Sequence, residues 1–253
     1  MIIRVGHLYP EYLNIYADRG NIAVFLHRAA SRGHELRVEP ITLGTRLEPG
    51  AHDLLYVGGG QDREQTMIAP DLAARAGALR EAVEAGAALL AVCGGYQLLG
   101  RGYRGRDGSW LEGAGVFPLE TLAGETRMIG DVLLESTLEE APGRSIAGFE
   151  NHAGRTVLDP GCETLGRVVA GFGNDGGSGY EGCRVGRALG TYLHGPLLPR
   201  NPWLADLVLS WALAHATGAG PQPLTPLSDE LEQEAHAVSS ARARERGGRP
   251  VRS

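Results

Sequence analysis

The stretch that most constrains this chain is an apolar run that ends at a cysteine followed by two glycines. Residues 87–92 are all alanine, leucine or valine, and Cys93, Gly94 and Gly95 come directly after them. A short apolar run bounded by glycine is typical of a buried strand in a parallel sheet. Tyr96 and Leu99 then follow at helical spacing. The sequence therefore predicts that Cys93 lies at a sharp turn from a strand into a helix.

A turn of this kind favours a nucleophile. It exposes the side chain at the carboxyl end of the sheet, where a helix N-terminus favours a thiolate and backbone N–H groups can hold an oxyanion. Cysteine as a residue type is more often an inert part of the core. Because Gly94 and Gly95 allow the backbone to turn sharply, we interpret Cys93 as catalytic.

Strands and helices alternate through the first hundred residues, which predicts an α/β fold with an open, mostly parallel sheet and helices on both faces. Strands are predicted at 2–8, 36–41, 53–57 and 87–92, and helices at 18–32 and 70–85. The chain then becomes rich in glycine. Further short strands, predicted at 113–119, 131–134, 145–149, 167–170, 183–185 and 188–193, complete the sheet and form an antiparallel flap.

A closing helix is predicted at 201–217, with Asn201 as its cap and Pro202 in its first turn. We expect residues 1–217 to form one domain. Residues 218–253 begin with prolines and continue with arginine, glutamate and alanine, so they are predicted to form a polar linker and a tail that is mobile or partly helical.

The composition excludes several classes of function. The net charge is −6 at pH 7, which provides no basic surface for a nucleic acid. The three cysteines form no C-x-x-C pair, so neither disulfides nor a metal site are indicated, and a reducing cytoplasm fits best. No apolar stretch approaches the roughly 18 residues that a membrane span requires, so no membrane insertion is expected.

Eight histidines could serve as the base that a cysteine nucleophile requires. His194 follows the apolar segment 188–193, so it also lies at a strand end, on the edge where an open α/β sheet collects its site. A histidine that merely closes a loop is the alternative. His152 follows another predicted strand and is interpreted as a residue that lines the site, with a structural turn as the alternative.

The glycine triplet at 58–60 follows the third predicted strand and offers backbone N–H groups at the same edge, as an oxyanion hole requires. A plain turn would have the same composition. The spacing does not match the G-x-G-x-x-G fingerprint of dinucleotide-binding proteins.

Taken together, these segments resemble the class I glutamine amidotransferases of the cobyric acid synthase branch, and within it the glutaminase subunits of lipid II isoglutaminyl synthases. The resemblance covers residues 2–217. It is carried by five segments, at 9–14, 59–62, 93–100, 149–155 and 192–196.

The resemblance implies a subunit that releases ammonia from L-glutamine, with Cys93 as the nucleophile and His194 as the base. Arg127 matches the arginine implied to hold the substrate glutamine, and a planar guanidinium suits a carboxylate. The remaining residues implied to line the glutamine site are Gly60, Gly94, Gln97 and His152.

The implied partner is a Mur-ligase-like synthetase subunit that amidates the D-glutamate α-carboxyl of the membrane-bound precursor lipid II. The chain contains no lysine, so it cannot contain the phosphate loop G-x-x-x-x-G-K-[ST]. No cofactor is therefore expected in this chain, and ATP and Mg²⁺ are expected on the partner.

One position departs from the wider class. Most class I amidotransferases carry a glutamate two residues after the histidine, whereas this chain has Pro196 there. A Cys–His dyad is therefore predicted, with Glu150 as a carboxylate that could substitute. Two alternatives remain: another cysteine hydrolase of γ-glutamyl or peptide bonds on the same fold, or a catalytically silent regulatory subunit.

Overall fold

A six-stranded sheet forms the centre of the computed structural model, which describes residues 1–15 and 19–246. In spatial order its strands are β11 (Cys183–Val185), β12 (Ala188–Thr191), β4 (Ala88–Val92), β3 (Leu54–Val57), β1 (Ile2–Leu8) and β2 (Glu35–Ile41). Every neighbouring pair is parallel except β11 and β12. Every residue of β3 and β4 is buried, as expected for central strands covered on both faces. The predicted mostly parallel α/β sheet is confirmed.

Helices cover this sheet on both faces. They are α1 (Arg19–Ala30), α2 (Asp62–Ala74), α3 (Ala76–Glu84), α4 (Gly94–Leu98) and α5 (Pro202–Thr217). The chain passes from β1 to β2 toward one edge of the sheet, whereas it passes from β3 to β4 toward the opposite edge. Because such crossovers are right-handed, α1 lies on the face opposite to α2 and α3. The fully buried Trp211 anchors α5.

A second sheet stands beside the first. Its strands are β10 (Tyr180–Glu181), β9 (Gly166–Ala170), β7 (Leu119–Ser136), β5 (Gly102–Arg104) and β6 (Trp110–Glu112), with β8 (Ser145–Leu158) paired along β7. β7 and β8 form a long antiparallel ladder with an irregularity between Ala123 and Met128. Phe149 of β8 also pairs with His194, which follows β12 in the first sheet. The two sheets are thereby joined at the carboxyl edge of the parallel strands.

Two local predictions were wrong. The single helix predicted at 70–85 is two helices, α2 and α3. The first begins at Asp62, because acidic residues in its first turn favour a helix N-terminus and Pro70 is accommodated inside it. Residues 113–118 are not a strand. Ala114 donates to the carbonyl of Leu98, and Val116 and Phe117 donate to that of Leu99, so this segment caps the C-terminal end of α4 instead.

The last described element is α6 (Glu230–Arg246), which packs on the second sheet. Its Ala243 is buried against Leu133 of β7 and Ala147 of β8. The segment before it is fastened by an ion pair of 2.6 Å between Asp229 and the nearly fully buried Arg28. The predicted start of the first helix at Asp18 and the final residues 247–253 lie outside the described residues. Within the described ranges, none of the helices has both the length and the hydropathy of a membrane crossing.

Candidate active site

Cys93 occupies a strained turn between β4 and α4. Its backbone has φ 51° and ψ −110°, a combination that is costly for any residue with a Cβ atom. The turn is fixed from both sides, since Cys93 N–H donates to the carbonyl of Thr191 at 2.8 Å and its own carbonyl accepts from Gln97 N–H at 3.0 Å. Strain that surrounding structure maintains in this way is typical of functional positions.

The glycine triplet 58–60 lies directly against this turn. Gly95 N–H donates to the carbonyl of Gly58 at 3.1 Å, and Ile15 N–H donates to that of Gly59 at 3.2 Å. A Cβ atom on Gly94 would stand only 2.9 Å from the backbone nitrogen of Gly60. Gly94 must therefore be glycine for the triplet to approach the nucleophile.

His194 lies at the neighbouring strand end. β12 runs parallel to β4, with Thr191 opposite Val92, so the residues that follow both strands leave the sheet at the same edge. The side chain of His194 is fully buried. Its backbone is fixed by the paired hydrogen bonds with Phe149, at 2.9 and 3.3 Å. Burial, together with the neighbouring His152 and Arg127, lowers the pKa of His194 to about 4, so the imidazole is neutral at pH 7.

A cavity of about 610 Å³ opens over Cys93. Five of the residues predicted from the sequence to form the site line it: Gly60, Cys93, Gln97, Arg127 and His152. Gly94 is held against Gly60, as described above, and His194 lies at the adjacent strand end. The fold thus brings together residues from the first sheet, from the turn at the nucleophile and from the second sheet.

Arg127 extends from β7 at the exposed side of the cavity. Its Nε donates to Oδ1 of Asn151 at 2.9 Å, and one terminal nitrogen donates to the carbonyl of Asn151 at 3.2 Å. These two bonds orient the guanidinium. A cation held at the rim of a cavity is suited to the carboxylate of a small substrate.

His152 lies on the inner side of the cavity, stacked on Tyr192 with ring centroids 3.5 Å apart. Its Nδ1 donates to the carbonyl of Gly154 at 2.9 Å. The carboxylate of the fully buried Glu150 lies 3.5 Å from Nε2 of His152 and accepts from the N–H groups of Phe172 and Gly173 at 2.7 and 3.0 Å. Glu150 therefore faces His152 within the second sheet.

The cavity is also lined by residues that the sequence did not assign, among them Gln65, Tyr103 and Asn151. Gln65 was missed because the helix was predicted to begin at Pro70, which left residue 65 in a loop. Asp62 and Glu64 are the acidic first-turn signal that would have placed Gln65 on a helix. Among the described residues, no group of three or more His, Cys, Asp or Glu side chains is arranged to hold a metal ion.

Comparison with known proteins shows the family of this chain. Residues 4–202 match the family model of the CobB/CobQ-like glutamine amidotransferase domain. The chain is 39% identical over 210 residues to the lipid II isoglutaminyl synthase (glutamine-hydrolyzing) subunit GatD of Staphylococcus aureus, covering 83% of this chain and 84% of that protein. It is 36% identical over 233 residues to the protein of the same name from Streptococcus pneumoniae, covering 92% and 88%.

Solved structures share the fold. The structure of PurLQS from Thermotoga maritima superposes with a TM-score of 0.57 at 16% identity, over 86% of this chain and 99% of that chain. A crystal structure of a glutamine amidotransferase gives a TM-score of 0.56 at 21% identity, over 82% and 98%.

Proposed function

This chain belongs to the family of CobB/CobQ-like glutamine amidotransferase domains, and we propose that it is the glutaminase subunit of a lipid II isoglutaminyl synthase, working through Cys93 and His194. The observation that carries the proposal is the cavity over Cys93. A strained nucleophile turn, a glycine loop packed on it and an oriented arginine line the same space. A glutamine amidotransferase requires these three parts.

The proposed reaction is acyl transfer. Cys93 Sγ attacks the side-chain amide carbon of glutamine, while His194 takes the thiol proton. The N–H groups of Gly60 and Gly94 hold the oxyanion of the tetrahedral intermediate. His194 then returns the proton to the departing nitrogen, so that ammonia leaves and a thioester remains. Water, deprotonated by His194, then attacks the thioester carbon. The C–S bond breaks, glutamate is released, and the proton passes from His194 back to the sulfur of Cys93.

The charge state of His194 fits this sequence of steps. Its pKa of about 4 leaves the imidazole neutral at pH 7, and a neutral imidazole can accept the proton of Cys93. Burial is the main cause of this low pKa, and the positive charge of Arg127 adds to it. The same arginine is proposed to bind the α-carboxylate of glutamine at the rim of the cavity.

The proposed use of the ammonia is the amidation of the D-glutamate α-carboxyl of lipid II. Formation of an amide from a carboxylate requires activation, which we assign to a Mur-ligase-like partner that holds ATP and Mg²⁺. The absence of lysine from the chain supports this division, because a phosphate loop of the G-x-x-x-x-G-K-[ST] type cannot be formed here. The names of the two relatives, both described as subunits, support a heteromer.

The first experiment measures ammonia released from L-glutamine by this chain mixed with its ligase partner. Wild type should release ammonia, and Cys93→Ala should reduce the release to background. Cys162→Ala is the matched control, since Cys162 is a partly exposed cysteine beside a different cavity and should leave the rate unchanged. Absence of release by wild type in the presence of the partner would contradict the proposal. Faster cleavage of a γ-glutamyl peptide would instead favour the alternative hydrolase.

A second experiment tests the transfer of ammonia. Cys93→Ala mixed with the partner, ATP and lipid II should form no amide from glutamine, but should regain amidation when an ammonium salt is supplied. This bypass is expected because the substitution leaves the ligase untouched. Failure of ammonium to restore the product would contradict the proposed division of labour.

The role of Arg127 is tested by Arg127→Ala. Loss of the guanidinium should raise the KM for glutamine by about 10- to 100-fold, the effect of removing a charged hydrogen bond of about 1.5–3 kcal/mol. Arg167→Ala is the control, because Arg167 is an exposed arginine of β9 that pairs with Glu135 and does not line the cavity over Cys93. An unchanged KM in Arg127→Ala would remove this residue from the glutamine site.

A further inference from the structure

We propose that Gln65 positions the oxyanion loop, by bridging the carbonyl of Gly60 to the side chain of Gln97 beneath the cavity. This inference rests on the proposed glutaminase function and adds a residue to it. Gln65 lies on α2, is 5% exposed and sits in the wall of the cavity over Cys93. It is a positioning residue in this proposal, because the reacting atoms are held by the groups that it orients.

The geometry of the bridge requires a nitrogen that carries at least two protons. Nε2 of Gln65 donates to the carbonyl of Gly60 at 3.2 Å and to Oε1 of Gln97 at 3.2 Å. Two acceptors therefore face one nitrogen. Only a side chain with at least two protons on a single atom can donate to both oxygens. A carboxylate has no proton to donate, and an aliphatic side chain would leave both oxygens buried without this donor.

The bridge completes the anchoring of the glycine triplet. Gly95 N–H holds the carbonyl of Gly58 and Ile15 N–H holds that of Gly59, so Gln65 supplies the third of three successive anchors. The amide nitrogen of Gln65 also lies 2.9 Å from where a Cβ atom of Gly94 would be. Gln65 thus contacts both glycines whose N–H groups are proposed to hold the oxyanion.

The bridge also continues away from the loop. Once Oε1 of Gln97 accepts from Gln65, its Nε2 faces the hydroxyl of Tyr192 and donates to it at 3.1 Å. That hydroxyl lies 2.6 Å from Oγ1 of Thr156 on β8. A single buried chain of hydrogen bonds therefore connects the oxyanion loop, the nucleophile helix and the ring on which His152 stacks. Buried chains of this kind hold a fixed geometry when every member is satisfied.

Kinetics with two variants test the inference. Gln65→Leu removes both hydrogen bonds and should lower kcat for glutamine hydrolysis by about 10- to 100-fold, with KM changed by less than about threefold. Gln65→Glu keeps the shape of the side chain and should lower kcat similarly at pH 8. Gln233→Leu, the same change at an exposed position of α6, is the control and should behave as wild type.

The pH dependence separates a lost donor from general damage. A protonated glutamate at position 65 regains one donor, so the ratio of Gln65→Glu activity to wild-type activity should rise as the pH is lowered. Gln65→Leu should show no such rise. A flat ratio for Gln65→Glu would overturn the proposed role as a donor.

Alkylation of Cys93 by iodoacetamide, followed by peptide mass spectrometry, gives a readout that requires no oxyanion. The rate for Gln65→Leu should stay within about twofold of wild type, because displacement of iodide creates no negative oxygen for the loop to stabilise. A loss of alkylation that parallels the loss of kcat, or a wild-type kcat in Gln65→Leu, would overturn the inference.

The amide resonance of Gly60 in ¹⁵N-labelled protein distinguishes this inference from the proposed function. If wild type releases no ammonia, the proposed function fails. The position of the loop is then still tested, because the Gly60 resonance should shift in Gln65→Leu and stay in place in Gln233→Leu. An unshifted Gly60 resonance in Gln65→Leu would overturn the inference by itself.

Discussion

Replacing Cys93 with glycine should relieve backbone strain that replacement with alanine retains. With φ at 51° and ψ at −110°, this position lies where a Cβ atom is costly, and such strain amounts to about 1–3 kcal/mol. Alanine keeps the Cβ atom and therefore the strain. The difference in the free energy of unfolding between Cys93→Gly and Cys93→Ala therefore includes the relief of that strain.

Two opposing effects reduce the advantage of glycine. Loss of the buried Cβ atom costs about 0.8 kcal/mol, and the greater freedom of glycine in the unfolded chain costs about 0.4–1 kcal/mol. These costs roughly cancel relief of the expected size. Cys93→Gly should therefore lie between about 1 kcal/mol less stable and about 2 kcal/mol more stable than Cys93→Ala.

Urea unfolding provides the assay, with Ala91→Gly as the matched control. Ala91 is fully buried on β4, two residues before the nucleophile, and belongs to a regular strand. Its replacement by glycine brings the same costs without relief, about 1–2 kcal/mol. If glycine is as unfavourable relative to alanine at position 93 as at position 91, Cys93 is unstrained and the reasoning fails.

Three further predictions concern charge and packing. His194 has a folded-state pKa of about 4, so the unfolded chain binds its proton first as the pH falls below about 6.5. The stability present at neutral pH is then lost at about 1.4 kcal/mol per pH unit until about pH 4. His194→Gln should lose less stability between pH 7 and pH 4.5, as measured by urea titration at both pH values. An equal loss in both proteins would contradict the lowered pKa of His194. Gly154→Ala would place a Cβ atom 2.3 Å from Nε2 of Gln97. We expect the free energy of unfolding to fall by about 1–3 kcal/mol and kcat to decrease. A wild-type melting temperature would refute the close packing. Asp229→Ala leaves the buried Arg28 with fewer partners and should lower the free energy of unfolding by about 1–3 kcal/mol. The segment before α6 should also become more sensitive to limited proteolysis. An unchanged cleavage rate would show that this ion pair does not hold the segment.

The parallel sheet could be predicted, and Cys93 and His194 could be proposed as a dyad, because both inferences depend on local patterns. Uniformly apolar runs such as 88–92 can be nothing but buried strands or helices, and their length and flanking glycines select strands. Cys93 and His194 follow two such runs. Because parallel strands expose their carboxyl ends at the same edge, one rule of topology was sufficient to place both residues together.

The second sheet was harder to predict because its glycines resemble chain breaks. Gly148 and Gly154 lie inside the long strand β8, where a side chain would collide with Leu193 and Gln97. Glycine is required there by close approach from another part of the chain. A signal that depends on such contacts is not visible in the local sequence. Gln65 escaped prediction for a different reason, because the start of its helix was misplaced at Pro70.

The position of β12 has a consequence for how the protein is made. β4 carries the nucleophile, yet its neighbour on one side, β12, is synthesised only after the whole second sheet. A nascent chain from which β4 has emerged, but residues 188–191 have not, therefore presents β4 with an unpaired apolar edge, which is a hazard for aggregation. Arrival of residues 188–194 covers that edge and delivers His194 in one event. The enzyme thus remains chemically incomplete for as long as its sheet is open.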